Sequence, residues 1–243
     1  MIEINKIYNE NCIETMKNIN DQEVDIVITS PPYNMNWRVY KGKYISRQLN
    51  DKGSKKYEGF TDNLPVEEFY ELHSNILMEL LRVSKIIFYN IQIVTGSKRA
   101  FFKMIGEFNE HLKDIIIWDK VNSQPAMQKN VLNSQNELIL IFGDNPIGRA
   151  FSKVNFERGT LSNIWKIKRG KKISSSHGAV FPEELVNNIL INFSNENDLV
   201  YDPFMGTGTV AVCSKHLKRN YIGSEISKDY CEIAENRLSE EIF

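Results

Sequence analysis

Two short stretches of the chain carry residue types that could do chemistry. The first, Thr29-Ser30-Pro31-Pro32-Tyr33-Asn34, comes directly after the apolar run that begins at Val24. Its two prolines fix φ and remove backbone donors, so the carbonyls of Ser30 and Pro31 stay free as acceptors instead of being absorbed by a helix. A hydroxyl, a carbonyl and an aromatic face held this close suit a flat base with an exocyclic amino group. Two acceptors take its two hydrogens while Tyr33 stacks on the ring. The second stretch, Asp202-Pro203-Phe204-Met205-Gly206-Thr207-Gly208-Thr209, opens a helical segment near Val210. Glycine there permits positive φ and close backbone approach, and the free amides of a helix start favour a carboxylate or phosphate. Nineteen residues after Gly206 stands Glu225, near the ~20-residue spacing at which an acid meets ribose hydroxyls in βαβ nucleotide sites. No Gly-Lys-Ser/Thr follows, so the turn indicates a nucleoside ligand other than ATP.

The elements that must position these turns follow from apolar periodicity. Residues 24–29 read as a buried strand stopped by the proline pair. From Pro65, the positions Val66, Phe69, Leu72, Ile76, Leu77, Leu80 and Leu81 repeat at helical spacing, predicting a helix of about five turns. Strands are expected at 86–94, 115–118, 137–142, 198–202 and 221–225, and helices at 98–110, at 182–192, from about 208 and at the C-terminus. Residues 144–180, rich in Asn, Pro, Gly, Ser and basic side chains, read as an irregular insertion. The alternation predicts an α/β fold with a largely parallel sheet and helices on both faces. Both turns then lie at carboxyl ends of strands, where open α/β sheets bind ligands.

The 243 residues, 42% hydrophobic and 25% charged, fit one α/β domain with a real core and exclude a disordered or coiled-coil chain. No apolar run approaches the roughly 18–20 residues that cross a bilayer. The first residues lack a signal-peptide pattern, and Cys12, Cys213 and Cys231 have no CxxC spacing. The expectation is therefore a cytoplasmic protein without membrane span, disulfide framework or metal site. The net charge of -1 conceals two basic windows. Residues 38–56 carry seven Lys or Arg against Asp51 alone, and residues 149–172 carry eight against Glu157. Such asymmetry is what a polyanion-binding face needs, with solvated Lys-rich loops as the plainer alternative.

Together the two turns resemble the S-adenosylmethionine-dependent DNA amino-methyltransferases, which methylate exocyclic nitrogens of cytosine or adenine. Their catalytic tetrapeptide reads (Ser/Asp/Asn)-Pro-Pro-(Tyr/Phe) and their cofactor turn Asp-Pro-Phe-x-Gly-(Ser/Thr)-Gly-Thr. Similarity runs from about Lys6 to Leu238, and the catalytic motif comes first, as in the β group. The resemblance implies a Rossmann-like methyltransferase sheet. Residues 1–143 and 176–243 would form the catalytic and cofactor-binding domain, 144–175 a target-recognition insertion and 35–62 a mobile flap over the flipped base. It assigns catalysis to Ser30, Pro31, Pro32 and Tyr33, and S-adenosylmethionine binding to Asn11, Cys12, Phe181, Asp202, Pro203, Phe204, Gly206, Thr207, Gly208, Thr209 and Glu225.

Asn11 stands where the family usually has the Asp of Gly-Asp-Cys, which accepts from the cofactor's adenine amino group, and an amide oxygen can still accept. His177 lies in the segment that resembles the cover of the ligand's methionine end, or is a loop histidine with a structural bond. Asp25 resembles an acid of the catalytic strand, or is a buried structural carboxylate. The implied partner is double-stranded DNA read sequence-specifically, with a homodimer and a cognate restriction endonuclease left open. Serine at the first tetrapeptide position implies N4-methylcytosine as product. Adenine-N6, an RNA target and a silent binding subunit are the alternatives.

Overall fold

The computed structural model describes residues 2–35, 37–40, 43–46, 63–124, 129–143, 148–170 and 181–240. Its elements are β1 (Lys6–Tyr8), α1 (Cys12–Met16), β2 (Ile26–Thr29), β3 (Trp37–Tyr40), β4 (Lys43–Ser46), α2 (Val66–Val83), β5 (Ile86–Ile91) and α3 (Lys98–Glu107). They continue with β6 (Leu112–Gln124), β7 (Ser134–Gly143), β8 (Ile164–Lys166), α4 (Glu183–Phe193), β9 (Leu199–Asp202), α5 (Thr209–His216), β10 (Asn220–Ser224) and α6 (Lys228–Glu240).

Alternation along the strands builds two cores. Ile26, Ile28, Phe88 and Val200 join α4, α5 and α6 on one face. Val27, Ile87, Tyr89 and Tyr201 join α1, α2 and α3 on the other. A strand buried on both faces must read as a continuous apolar run, and all four residues of β2 are buried. Helix α2 buries Phe69, Ile76, Leu77 and Leu80, and Glu67 and Glu68 in its first turn complement the helix dipole.

The main sheet has eight strands in the order β1-β10-β9-β2-β5-β7-β6-β8, and β3 and β4 form a separate antiparallel hairpin. The expectation of a largely parallel sheet needs correcting at one end. Strand β7 runs antiparallel to both β5 and β6. Only nine residues separate β6 from β7, too few for the crossover a parallel pair requires. The strands expected at 115–118 and 137–142 are parts of the longer β6 and β7.

Within the stretch after β7, residues 148–170 hold more regular structure than their composition suggests. Strand β8 pairs in parallel with β6. Phe151 and Phe156 pack edge-on against Phe193 of α4, which closes that face of the core. Two cations of the second basic window are used by the scaffold, since Arg149 pairs with Asp114 and Lys153 with Asp198. Lys166, Lys168 and Arg169 are exposed. Lys171, Lys172 and His177 lie outside the described residues, as do 36, 41–42 and 47–62 of the stretch read as a flap. Among the described residues, no helix is long and apolar enough to cross a membrane.

Candidate active site

The carboxyl ends of β1, β10, β9, β2 and β5 share one edge of the sheet. A cavity of about 520 Å³ opens there. All four residues of the Ser30–Tyr33 turn line it, as do Asn11 and Cys12 before and at the start of α1, Phe181 before α4, and Glu225 after β10. The 202–209 turn lines it too, with one exception. Gly208 has φ +84° and an added Cβ would sit 2.7 Å from Cβ of Ala234. This glycine allows the close approach of α6. Gly206, at φ +53°, is on the wall.

The two turns are tied together across 173 residues of sequence. Thr29 Oγ1 donates to Asp202 Oδ1 at 2.8 Å, and the amide of Phe204 donates to the same oxygen at 3.0 Å. Burial pushes the Asp202 carboxyl up to about 7, against these two bonds. Glu225 braces the glycine turn, with Oε2 accepting from the amide of Gly206 and Oε1 from that of Ser227, each at 2.8 Å. Burial raises its carboxyl above the usual range while the backbone donors oppose the rise. Asn11 caps α1 through Oδ1, which accepts from the amide of Ile13 at 2.9 Å. The Cys12 thiol is pushed up to about 12, mainly by burial, and stays protonated. Asp25 is at the other end of β2, bonded to Lys85 and the amide of Leu199, and is structural.

The second half of the cavity holds residues that the sequence did not signal. Asn90 of β5, Lys120 of β6 and Glu137 of β7 line it beside Ser30 and Tyr33. Asn90 Nδ2 lies 2.6 Å from Tyr33 Oη, 2.7 Å from Glu137 Oε2 and 3.3 Å from Ser30 Oγ. Ser30 Oγ and Tyr33 Oη are 2.5 Å apart. Lys120 Nζ donates to Glu137 Oε1 at 3.0 Å, with only 1% of its side chain exposed. Polar breaks in apolar strands, at Asn90 and just before Leu138, were the available clue.

The donor set fits a nucleoside-bearing sulfonium. A carboxylate at a strand end is the group that meets ribose hydroxyls in nucleotide sites, and Glu225 stands at such an end with Asp202, Phe204, Ile226 and Tyr230 on the same wall. The comparisons with known proteins agree. The DNA methylase family profile matches residues 24–236. The orphan methyltransferase M.BamHII of Bacillus amyloliquefaciens is 30% identical over 272 residues, covering 91% of each chain. The type II methyltransferase M.BglII of Bacillus subtilis is 27% identical over 98% of this chain and 70% of its own. PvuII DNA methyltransferase (cytosine-N4-specific) superposes with a TM-score of 0.72 at 15% identity, covering 98% of this chain and 87% of that one. The M1.HpyAVI complex with S-adenosylmethionine superposes with a TM-score of 0.63 at 23% identity over 96% and 98%. The chain therefore belongs to the N6/N4 DNA methylase family, with S-adenosylmethionine as its methyl donor.

Proposed function

We propose that this methyltransferase acts on the exocyclic amino nitrogen of a cytosine flipped out of double-stranded DNA at a specific sequence, producing N4-methylcytosine. The observation that carries the reading is the Thr29–Asp202 bond. It joins a hydroxyl–carbonyl–aromatic turn to a nucleoside-binding turn on one cavity wall. An aryl amine is a poor nucleophile because its lone pair is delocalised into the ring. Ser30 Oγ and the Pro31 carbonyl accept its two hydrogens, favour a pyramidal nitrogen and aim the lone pair across the cavity. When bound, S-adenosylmethionine supplies a sulfonium methyl whose carbon takes that lone pair while the C–S electrons return to sulfur. One proton then leaves the alkylated nitrogen for solvent. No covalent enzyme intermediate is needed, consistent with the protonated Cys12.

Serine at the head of the tetrapeptide favours cytosine, and the cytosine-N4 specificity named for the PvuII neighbour supports it. Residues 144–175 serve as the recognition region. Arg169 and Gly170 line the cavity, with exposed Lys166 and Lys168 beside them. Residues 35–62, which include β3 and β4, form the flap over the flipped base. Nucleoside mass spectrometry of DNA incubated with the enzyme and cofactor is the test. N4-methylcytosine is expected, and N6-methyladenine alone would refute the base assignment and leave the amino-transfer chemistry standing.

A further inference from the structure

Asn90, Glu137 and Lys120 form a buried polar chain behind the catalytic turn, and that chain has a direction. Asn90 Nδ2 can only donate, and its two nearest acceptors are Tyr33 Oη and Glu137 Oε2. Tyr33 Oη therefore accepts one bond and has a single proton to give. Burial and the Glu137 carboxylate both hold that phenol well above its ordinary range, so the proton stays on Tyr33. It can point to Ser30 Oγ, 2.5 Å away, or to Glu137 Oε2, 3.3 Å away.

The two choices differ in what they leave at the base. If Tyr33 donates to Ser30, its own oxygen faces Glu137 lone pair to lone pair. One lone pair of Ser30 is then filled, and the serine proton is left pointing at the hydrogens of the base amino group. If Tyr33 donates to Glu137, the Ser30 hydroxyl donates to Tyr33 and neither Ser30 lone pair is taken by a hydroxyl, the remaining approach to them being the long one of Asn90 Nδ2 at 3.3 Å. Only this second arrangement keeps the Tyr33 oxygen from facing Glu137 lone pair to lone pair, and an ionised acceptor favours it because charge-assisted bonds are the stronger ones. Lys120 pairs with the other carboxylate oxygen of Glu137. A buried ion pair contributes little to stability against an apolar pair of the same size, so its position here has a better account in chemistry than in folding.

We infer that Glu137, held by Lys120 and reaching Ser30 through Tyr33, is a positioning residue that turns the Ser30 oxygen toward the base as an acceptor. The inference rests on the amino-methyltransferase reading above. It predicts which residue an isosteric change would silence without touching either ligand.

The test is Glu137→Gln, which keeps the shape, removes the charge and presents an amide donor toward Tyr33. Expected is a fall in kcat for DNA methylation of about 100-fold, the scale on which misdirected proton donors act. KM for DNA and cofactor affinity should stay within roughly twofold of wild type, since uniform binding is untouched. In a Ser30→Ala background, E137Q should cost less than about threefold more, because residues acting as one unit are non-additive. A kcat within about threefold of wild type, or full additivity with S30A, overturns the inference. Should E137Q lose cofactor binding, Tyr33→Phe cuts the same chain by removing one oxygen, and an undiminished kcat there overturns it equally. Wild-type enzyme assayed alongside separates the two claims. Wild-type DNA carrying no methylated amino nitrogen refutes the functional reading, whereas active wild type with unimpaired E137Q refutes the role of Glu137.

Discussion

Replacing Glu225 with alanine removes a carboxylate that has two jobs, and the two can be measured apart. Both of its oxygens are engaged, by the amides of Gly206 and Ser227. Each lost bond weakens the fold by about 1 kcal/mol, since the amides border a cavity that water can enter. The sum of about 2 kcal/mol corresponds to a Tm lower by roughly 4–8 °C for a chain of this size. Cofactor binding loses in addition a charge-assisted bond to a ribose hydroxyl, about 1.5–3 kcal/mol. At about 1.4 kcal/mol per decade, Kd should rise roughly ten- to 150-fold. Titration calorimetry with S-adenosylhomocysteine, the demethylated product, reads the second effect and a thermal melt the first. Glu225→Gln, whose remaining oxygen can accept only part of these bonds, should fall between alanine and wild type in both. A lowered Tm with Kd within about threefold of wild type would make Glu225 a brace for the glycine turn and remove it from the ligand's contacts.

Further outcomes follow from the same geometry. Ser30→Ala should bind S-adenosylhomocysteine normally and lose about 10²–10³ in turnover, the usual cost of one positioned polar group. Unchanged single-turnover rates would count against it. Asp202 keeps its proton up to about pH 7 when folded, against an ordinary value of 3.8, so its contribution to stability is full below about pH 4 and is lost as pH rises through 7. Asp202→Asn retains an oxygen for Thr29 and Phe204, and should flatten that decline and raise Tm at pH 8. A parallel pH–Tm curve would show that Asp202 does not titrate in that window. Gly208→Ala combines a left-handed backbone with overlap onto Ala234 and should cost about 2–5 kcal/mol in denaturant unfolding, an expectation that wild-type stability would contradict. If Lys168 and Arg169 meet phosphates, alanine at either should lower the log-affinity versus log-salt slope for DNA by about 1.

What was legible in the sequence is what the chain writes contiguously. The tetrapeptide and the glycine turn declare themselves because two prolines or two glycines dictate backbone geometry locally, and Glu225 follows at a spacing fixed by one helix and one strand. Helix α2 was legible from periodicity, and β2 and β9 from apolar runs ended by proline motifs. Asn90, Lys120 and Glu137 were not. Their partners lie 17 to 104 residues away on other elements, and a polar break in a strand does not by itself say which distant group it meets. The direction of β7 depended on a short connection rather than on its composition. Strand β8 hid in a stretch that reads as loop because it has only three residues and β6 supplies the pairing. The contact between Gly208 and Ala234 was not legible either, since it comes from α6, which packs there only in three dimensions.

The pairing of β2 with β9, Ile26 opposite Val200 and Val27 opposite Tyr201, works as the ruler of the reaction. Sliding one strand past the other by a single residue would carry Ser30 about 3.3 Å along the sheet and turn its side chain to the opposite face. That displacement is comparable to the whole gap between reacting atoms in a near-attack geometry. Distance between donor and acceptor is thus held by backbone ladders that no surface substitution disturbs, whereas the segments proposed to meet DNA are the stretches that follow β2 and β7. Such a division lets the recognised sequence drift over generations while the chemical step keeps its alignment.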